Sequence, residues 1–533
     1  MKTLLINTPE QNDYNNPTVE LKEKNLKKWL AEQPILNLVR SVPVLLDKIQ
    51  GLNEEPIANT LRLKLLELYY EQITAIFYSF DDIRLQQAPI EKEQKMQVRL
   101  GIGTLCTELS NGYKIIVKDA LRQHKKNMHK NKLATLSCFR AIECLSLSLM
   151  HAYRTYAVPP PFNLLELHQL YKFAEFFQID GLTFSARNCE DKPAIRHLYV
   201  RTILLTISDP FRLPVGGLIK MNDYLFPYAP ECKILPFQNK QDGAFILDLD
   251  SDAMPTPGLR LPENLEDFTD SAPEDLRVLD VTPLIHHVNT QLSKAPGEYD
   301  KERLLLEILL PKLQVVQQRR AAKRIPVEKQ AYIATGSKAI RFFLKNTSDH
   351  IHLTETTERP SERNYGIQID SEDDAEERPP EYSLNRWQVK NEALRGYLMQ
   401  CQQHCELLGV GQLLAVAQTI STPRSIPFTL SIIRWLRAGH GTSVEVGVET
   451  IPGIPVIGTI TNAENATGNI DCILLPAIPA LKTPPSLMVD KGLVQQGEYL
   501  HVTLAHQTLD IQITHAFEDS TYFDAFHYID SQA

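Results

Sequence analysis

The sequence predicts an α+β protein of several domains, with an α-helical array in the N-terminal half and an antiparallel β-barrel in the C-terminal half. The chain has 533 residues, which is more than one ordinary hydrophobic core accommodates. Apolar residues recur with helical period between about residues 26 and 230. Beyond Ile325 they form short alternating runs instead, which is typical of β-strands.

Composition limits the classes of partner that the protein can have. Apolar residues make up 43% of the chain and charged residues 23%, which is typical of a soluble globular protein. The formal net charge is −9, whereas a general nucleic-acid binder is usually basic. We therefore expect no nucleic-acid polymer as a partner. Any anionic ligand has to be met by a local cluster of Arg or Lys.

The N-terminus and the cysteines indicate a cytoplasmic protein. Residues 1–25 are polar and are predicted to form a flexible N-terminus. The apolar run that follows Met1 is too short for a signal peptide, and no stretch approaches the roughly 20 apolar residues of a membrane span. The eight Cys residues include no C-x-x-C pair, so we predict neither a disulfide framework nor a metal site, and no cofactor.

Helical periodicity is clearest in an apolar stripe between residues 61 and 73. Similar stripes occur through residues 134–156, 163–178 and 195–209. A stripe of this kind is the face that an amphipathic helix buries against its neighbours. We therefore assign residues 26–230 to an α-helical domain. The clearest stripe consists of Leu61, Leu65, Leu68, Tyr69 and Ile73.

The pattern between residues 231 and 315 is mixed. Residues 243–250 have strand character, and several Pro residues follow them. A helix is predicted from about Glu298, with an interruption at Pro311, because Pro lacks a backbone N–H and collides with the preceding helical turn. We assign residues 231–315 to a connector with short strands and a helix.

Residues 316–480 are predicted to form the β-barrel. Thr429–Trp435 and Ser443–Glu449 are apolar or alternating runs, and the turn between them contains Gly. This arrangement is typical of a β-hairpin. A helix is expected at Ala339–Leu344.

Two further segments complete the predicted C-terminal half. Residues near 370–380 are acidic and have almost no apolar content, so we expect an inserted loop there. Residues 481–533 are predicted to form an additional C-terminal β segment.

An Arg-rich segment lies where the helical pattern gives way to strands. It contains Arg319, Arg320 and Arg324, and the last two are four residues apart. Guanidinium grips phosphate oxygens with two parallel hydrogen bonds, and it also reads the O6 and N7 atoms of guanine. The alternative interpretation is the solvated basic end of a helix, where Arg suits the negative end of the macrodipole.

A second segment runs from a predicted strand into a turn, with Asn391, Ala393 and Gly396 in N-x-A-x-x-G spacing. The Asn side chain offers both a hydrogen-bond donor and an acceptor for the edge of a guanine base. Gly at the last position lets the backbone approach another group closely or adopt positive φ.

The order of these two segments resembles the PilZ domain family, whose members bind cyclic di-GMP with an Arg-rich segment and a D/N-x-S-x-x-G motif. By this resemblance Arg320 and Arg324 match the R-x-x-x-R pair, and Arg319 matches an additional preceding Arg. Asn391 and Gly396 match the first and last positions of the second motif. Ala393 stands where the family has Ser, and the stretch from Arg324 to Asn391 is longer than usual. The resemblance implies a ligand site for cyclic di-GMP formed by Arg319, Arg320, Arg324, Asn391, Ala393 and Gly396.

The resemblance implies a cytoplasmic signalling receptor that controls bacterial motility, attachment or exopolysaccharide, with a protein partner for the helical domain. Familiar catalytic signatures such as G-x-S-x-G and H-E-x-x-H are absent, so we expect no enzyme. Two alternatives stay open. The barrel is a degenerate PilZ scaffold for protein interaction that binds no nucleotide, or the N-terminal half is an enzyme or an RNA-binding module that the barrel regulates.

Overall fold

The computed structural model divides the chain into two compact units, Met1–Gln318 and Arg319–Ala533, which we call the helical unit and the barrel unit. The structure describes residues 4–11, 19–123, 128–185, 192–237, 244–258, 274–294, 301–314, 324–345, 352–355, 365–368, 382–401, 408–418, 428–438, 443–461, 469–505 and 507–531.

Within the described residues, nine α-helices form the first part of the helical unit, as the apolar periodicity predicts. Helix α6 lies at the centre, and nearly every residue between Ala134 and Tyr153 is buried. This helix is long and apolar enough to cross a bilayer, but 89% of its most apolar window is buried inside the protein, which is typical of a core helix. The helices are α1 (Glu23–Ala31), α2 (Leu38–Glu54), α3 (Asn59–Ser79), α4 (Asp82–Gln87), α5 (Lys92–Arg122), α6 (Lys132–Arg154), α7 (Asn163–Phe176), α8 (Ile195–Ile207) and α9 (Gly217–Leu225).

The prediction of a flexible N-terminus over residues 1–25 is corrected for residues 4–11. Ile6 is buried in the core of the helical unit. The backbone N–H of Leu5 donates to Gln169 at 3.0 Å, and that of Asn7 donates to Glu166 at 2.7 Å. Backbone hydrogen bonds to side chains on α7 are a tertiary feature that polar composition does not reveal.

The predicted connector is a part of the helical unit. In the described part of this region, four strands form one antiparallel sheet in the order β1-β4-β2-β3, and two helices follow where one was expected. Leu247, Leu279 and Leu309 share the hydrophobic core of the preceding helices. Pro311 lies inside the last helix, which continues to Leu313 because that residue is buried. The elements are β1 (Lys233–Pro236), β2 (Ala244–Asp248), β3 (Thr256–Pro257), β4 (Leu276–Asp280), α10 (Thr282–Leu292) and α11 (Lys301–Leu313).

The barrel unit begins with an antiparallel sheet of eight strands in the order β5-β10-β11-β12-β9-β8-β7-β6. Strand β5 also pairs with β8, which closes six of the strands into a ring that we call the first barrel. The predicted hairpin is confirmed by the pairing of β11 with β12, and the predicted short helix is α12. The elements are β5 (Ile325–Thr335), α12 (Ser337–Lys345), β6 (His352–Glu355), β7 (Tyr365–Gln368), β8 (Ser383–Ala393), β9 (Gly396–Cys401), β10 (Leu413–Ala417), β11 (Thr429–Ala438) and β12 (Val444–Thr450). The predicted acidic loop near 370–380 lies outside the described residues.

A second closed barrel of six strands follows, in the order β13-β14-β15-β18-β17-β16. The predicted boundary at residue 480 therefore moves toward the N-terminus, because β14 and β15 on its two sides are hydrogen-bonded neighbours in this barrel. Residues 481–533 are accordingly not a separate segment. The strands are β13 (Val456–Thr461), β14 (Ile470–Leu475), β15 (Ser486–Asp490), β16 (Tyr499–Thr503), β17 (Thr508–Asp519) and β18 (Phe523–Asp530).

The two barrels pack against each other through a shared apolar cluster. Phe343 of α12, Leu430 of β11 and Phe523 of β18 belong to it. Arg434 of β11 adds a bidentate ion pair with Glu518 of β17, at 2.7 and 2.9 Å. Guanidinium–carboxylate pairs of this geometry fix relative orientation as well as adding energy, so the two barrels are held in one arrangement.

A buried histidine makes the helical unit sensitive to acid. The side chain of His151 is 3% exposed and lies against Phe80. Its Nε2 faces the carbonyl of Arg99, and its Nδ1 accepts from the guanidinium of Arg154. Burial and the positive charge of Arg154 lower the pKa of His151 to about 3.

Lowering the pH from 7 to 5 is expected to reduce the free energy of unfolding of the helical unit. In the unfolded chain His151 takes up a proton below its ordinary pKa of 6.5, whereas the folded chain resists protonation down to a pKa of about 3. The unfolded state therefore binds more protons in this window, and stability falls by about 2 kcal/mol at pH 5 from this residue alone.

Urea unfolding at both pH values, followed by far-ultraviolet circular dichroism, measures the effect. The free energy of unfolding of the His151→Gln variant should depend less on pH than that of the unmodified protein. His286→Gln, at an exposed position of α10, is the control. An unchanged pH dependence in His151→Gln would contradict the prediction.

Candidate functional site

The pairing that closes the first barrel also brings Arg324, the described end of the Arg-rich segment, close to the N-x-A-x-x-G segment. Ile325, the first residue of β5, lies opposite Glu392 of β8, and Pro326 lies opposite Asn391. Arg324 is exposed and directly precedes Ile325. Arg324, the last residue of the Arg-rich segment, is therefore next to a strand residue, Ile325, that pairs with the N-x-A-x-x-G segment.

That second segment is a tight hairpin between β8 and β9. Ala393 pairs with Gly396, which leaves Leu394 and Arg395 as a two-residue turn. A Cβ atom on Gly396 would lie 2.0 Å from the carbonyl oxygen of Val448 in β12. Gly396 is therefore needed for the close approach of two strands, which is a structural requirement that exists without any ligand.

A β-bulge turns Asn391 to the outer face of the first barrel. Lys390 is the extra residue, because Val389 pairs with Met399 and Asn391 already pairs with Leu398. Val389 and Met399 are fully buried and point into the barrel. Leu398 alternates with Met399 along β9 and so faces outward, and its partner Asn391 faces the same way. Bulges of this kind commonly re-aim a side chain beside a functional site.

The outward row that contains Asn391 continues to a tryptophan. Leu398 pairs with Gly447 of β12, and Gly447 pairs with Trp435 of β11. A Cβ atom on Gly447 would lie 1.9 Å from Nε1 of Trp435, so the indole occupies the space above this glycine. Trp435 is partly exposed. The row therefore joins an amide group to an aromatic face across four strands.

An open pocket of about 550 Å³ lies next to the hairpin, on strands β5, β8 and β9. We call it the outer pocket. Lys329 on its rim forms an ion pair at 3.2 Å with Glu392 of the hairpin. Trp387, one of its lining residues, is 1% exposed, and its Nε1 has no hydrogen-bond partner within the described part of the chain. The lining residues are Glu328, Lys329, Gln330, Arg386, Trp387, Gln388 and Gln400.

The structure brings together four of the six predicted ligand residues. Asn391, Ala393 and Gly396 belong to one hairpin, and Arg324 lies beside it. Arg319 and Arg320 lie outside the described residues. Where residues are described, no group of three or more His, Cys, Asp or Glu side chains is placed to hold a metal ion.

The sequence motifs missed Trp435 and the residues of the outer pocket. A signal for Trp435 exists, because Gly447 interrupts an alternating strand and a glycine there indicates a large neighbour. Glu328 and Arg386 are separated by 58 positions in the chain, and the pairing of β5 with β8 brings both to the lining of one pocket.

Two family models match the chain. Residues 24–239 match the model described as cyclic-di-GMP receptor FimW, N-terminal domain, and residues 457–531 match the FimW C-terminal beta-barrel domain. The chain belongs to the FimW family. A curated relative, the cyclic-di-GMP receptor FimW of Pseudomonas aeruginosa, is 22% identical over an alignment that covers 94% of this chain and 89% of the relative.

These matches agree with the architecture, and they confirm the predicted relationship to a family of cyclic-di-GMP receptors. The first matched range contains helices α2–α9 and nearly all of α1, and the second corresponds to the second barrel. The hairpin and the outer pocket lie between the two matched ranges. The individual site residues therefore remain predictions from the motifs and the geometry.

Replacing Gly396 by Ala is expected to destabilise the barrel unit. The new methyl group would meet the carbonyl oxygen of Val448 at 2.0 Å, and a backbone atom within a closed barrel moves only with its strand. Overpacking of this kind costs roughly 1–3 kcal/mol. Thermal unfolding of the unliganded protein measures the loss. Gly181→Ala, where a Cβ meets nothing within 4 Å, is the control, and an equally small effect in both variants would contradict the prediction.

Proposed function

We propose that the chain is a signalling receptor that binds cyclic di-GMP on the outer face of the first barrel and performs no catalysis. The observation that carries the proposal is the register of β5 on β8, in which Pro326 lies opposite Asn391. In this register Arg324, the described end of the Arg-rich segment, precedes a strand residue that pairs with the hairpin. Both segments are those that the resemblance to PilZ domains assigns to the ligand.

The chemistry of the ligand fits the groups at this place. Cyclic di-GMP carries two phosphate charges, and a protein with a formal net charge of −9 needs local guanidinium groups to meet them. Asn391 faces outward and offers an amide donor and acceptor to a base edge. Trp435 in the same row offers a ring face for stacking.

The Arg-rich segment is also the covalent link between the two units. It follows α11, which ends at Leu313, and precedes β5. A ligand that holds Arg319, Arg320 and Arg324 against the hairpin would fix the course of this link. Ordering of a segment by a bound phosphate group is a known kind of switch. We propose that the switch changes what the helical unit offers to a protein partner in the cytoplasm, and that motility, attachment or exopolysaccharide is the process controlled.

Replacing Arg324 by Ala is expected to weaken the binding of cyclic di-GMP by roughly 10- to 100-fold, because a charge-assisted hydrogen bond to the ligand is lost. Arg320→Ala should behave in the same way. Isothermal titration calorimetry of the full chain gives the dissociation constants. Arg437→Ala, an exposed arginine at the far end of β11, should bind normally. No binding by the unmodified protein at about 100 μM ligand would favour the scaffold alternative over the receptor.

Replacing Ala393 by Ser is expected to tighten the binding of cyclic di-GMP by up to roughly tenfold, because the hydroxyl restores one hydrogen bond worth about 0.5–1.5 kcal/mol. The same titration measures the gain. Ala438→Ser adds a hydroxyl at the end of β11 that is farther from the hairpin, and it should leave the affinity for cyclic di-GMP unchanged. Equal affinity of Ala393→Ser and the unmodified protein would show that the ligand does not contact this position.

A further inference from the structure

The outer pocket lies beside the hairpin, yet none of its described lining residues belongs to either motif. We infer that the outer pocket binds one guanine base of the cyclic dinucleotide and selects guanine over adenine, with Glu328 and Arg386 as the discriminating residues. This inference rests on the proposed function, since it assigns a base-reading site to the same ligand.

Three glutamines form a row across the outer pocket. Gln330 of β5 pairs with Gln388 of β8, and Gln388 pairs with Gln400 of β9. Directly opposed residues of antiparallel strands carry their side chains on one face. Trp387 and Met399, which precede Gln388 and Gln400, are buried inside the barrel, so the glutamines face outward.

The amide groups of these glutamines are available to a ligand. Within the described residues, none of the three side chains donates or accepts a hydrogen bond. Each amide presents one carbonyl oxygen and two N–H donors. Neighbouring strands lie about 4.8 Å apart, so the row presents amide donors and acceptors from three adjacent strands on one face.

Arg386 and Glu328 give the pocket its selectivity. Both residues are exposed, and Arg386 lies two positions before Gln388 on the same strand. Guanidinium pairs with O6 and N7 of guanine, whereas adenine presents an N6 amino donor in place of O6. A carboxylate accepts from N1–H and the N2 amino group of guanine. Adenine has an acceptor at N1 and no N2 amino group, so the same carboxylate repels it.

The charges of the outer pocket suit a base better than a phosphate group. Lys329 is engaged by Glu392 at 3.2 Å, which leaves Arg386 and Glu328 as opposite charges in one pocket. A phosphate would be repelled by Glu328, whereas a guanine base satisfies both groups. The phosphate groups of the ligand are therefore assigned to the Arg-rich segment.

The distance along the strand fits one ligand that spans both places. Gln388 and Asn391 pair with Gln400 and Leu398, which are two residues apart on β9. Because Lys390 is the extra residue of the bulge, the interval corresponds to about 7 Å at 3.3 Å per residue. The two bases of a cyclic dinucleotide leave the ribose-phosphate ring on opposite sides. A ligand with its phosphates at Arg324 and the hairpin can therefore extend one base along β8 into the outer pocket.

The test compares the binding of cyclic di-GMP and cyclic di-AMP to the full chain and to the variants Glu328→Gln and Arg386→Gln. Isothermal titration calorimetry gives both dissociation constants, and thermal unfolding checks that each variant folds. Each variant is expected to lose roughly 10- to 100-fold in affinity for cyclic di-GMP. The preference over cyclic di-AMP should shrink by the same factor.

Arg437→Gln and Glu445→Gln are matched controls. These residues form an ion pair at 2.8 Å on the next two strands of the same outer row and do not line the pocket. Both controls should bind like the unmodified protein.

The possible failures are distinguishable. If Glu328→Gln and Arg386→Gln bind cyclic di-GMP normally while Arg324→Ala does not, the receptor stands and the assignment of the outer pocket is overturned. If the variants lose affinity for both nucleotides equally, the pocket does not read the base, and the inference is again overturned. If the unmodified protein binds neither nucleotide, the proposed function itself fails.

Discussion

The pairing of β5 with β8 is the contact on which the architecture of the first barrel depends. The other strands form an open sheet, and only this pairing turns it into a ring. Strand β5 begins immediately after Arg324, and β8 ends at Ala393. Closure of the barrel and the approach of Arg324 to the hairpin are therefore one structural event, because the register that satisfies the backbone hydrogen bonds also positions these described residues.

Bulges determine which side chains the barrel offers to solvent. Strict alternation from the buried Val389 would turn Asn391 inward, and the extra residue Lys390 reverses that. A second irregularity lies between Ile433 and Trp435 in β11, and it places the indole outward above Gly447. Two departures from regular pleating thus put an amide and an aromatic ring on the same outer row. A regular barrel of the same sequence would bury both.

The parts of the structure that local periodicity specifies are those that the sequence predicts well. The helices of the helical unit and the hairpin of β11 and β12 follow from spacing alone, because a 3.6-residue or two-residue period reflects which face is buried. The second barrel shows the limit. Its strands show alternation one by one, but nothing local indicates that Ile470–Leu475 and Ser486–Asp490 belong to one ring. Barrel closure is a property of register between distant strands, and the outer pocket is hidden from sequence for the same reason.

The candidate site also separates residues that the fold needs from residues that only a ligand would need. Gly396 is required because the carbonyl oxygen of Val448 occupies the position that a Cβ atom of residue 396 would take. Gly447 is required because the indole of Trp435 occupies the corresponding position at residue 447. These glycines would be present in a barrel that binds nothing, so the closing glycine of the motif is weak support for a receptor. Arg324, Glu328 and Arg386 are exposed, and no such packing constraint is visible for them. A cluster of outward charged and amide groups on one side of a closed barrel contributes little to folding. Under the proposed function these groups would act in binding, a role that the folding of the barrel does not require of them.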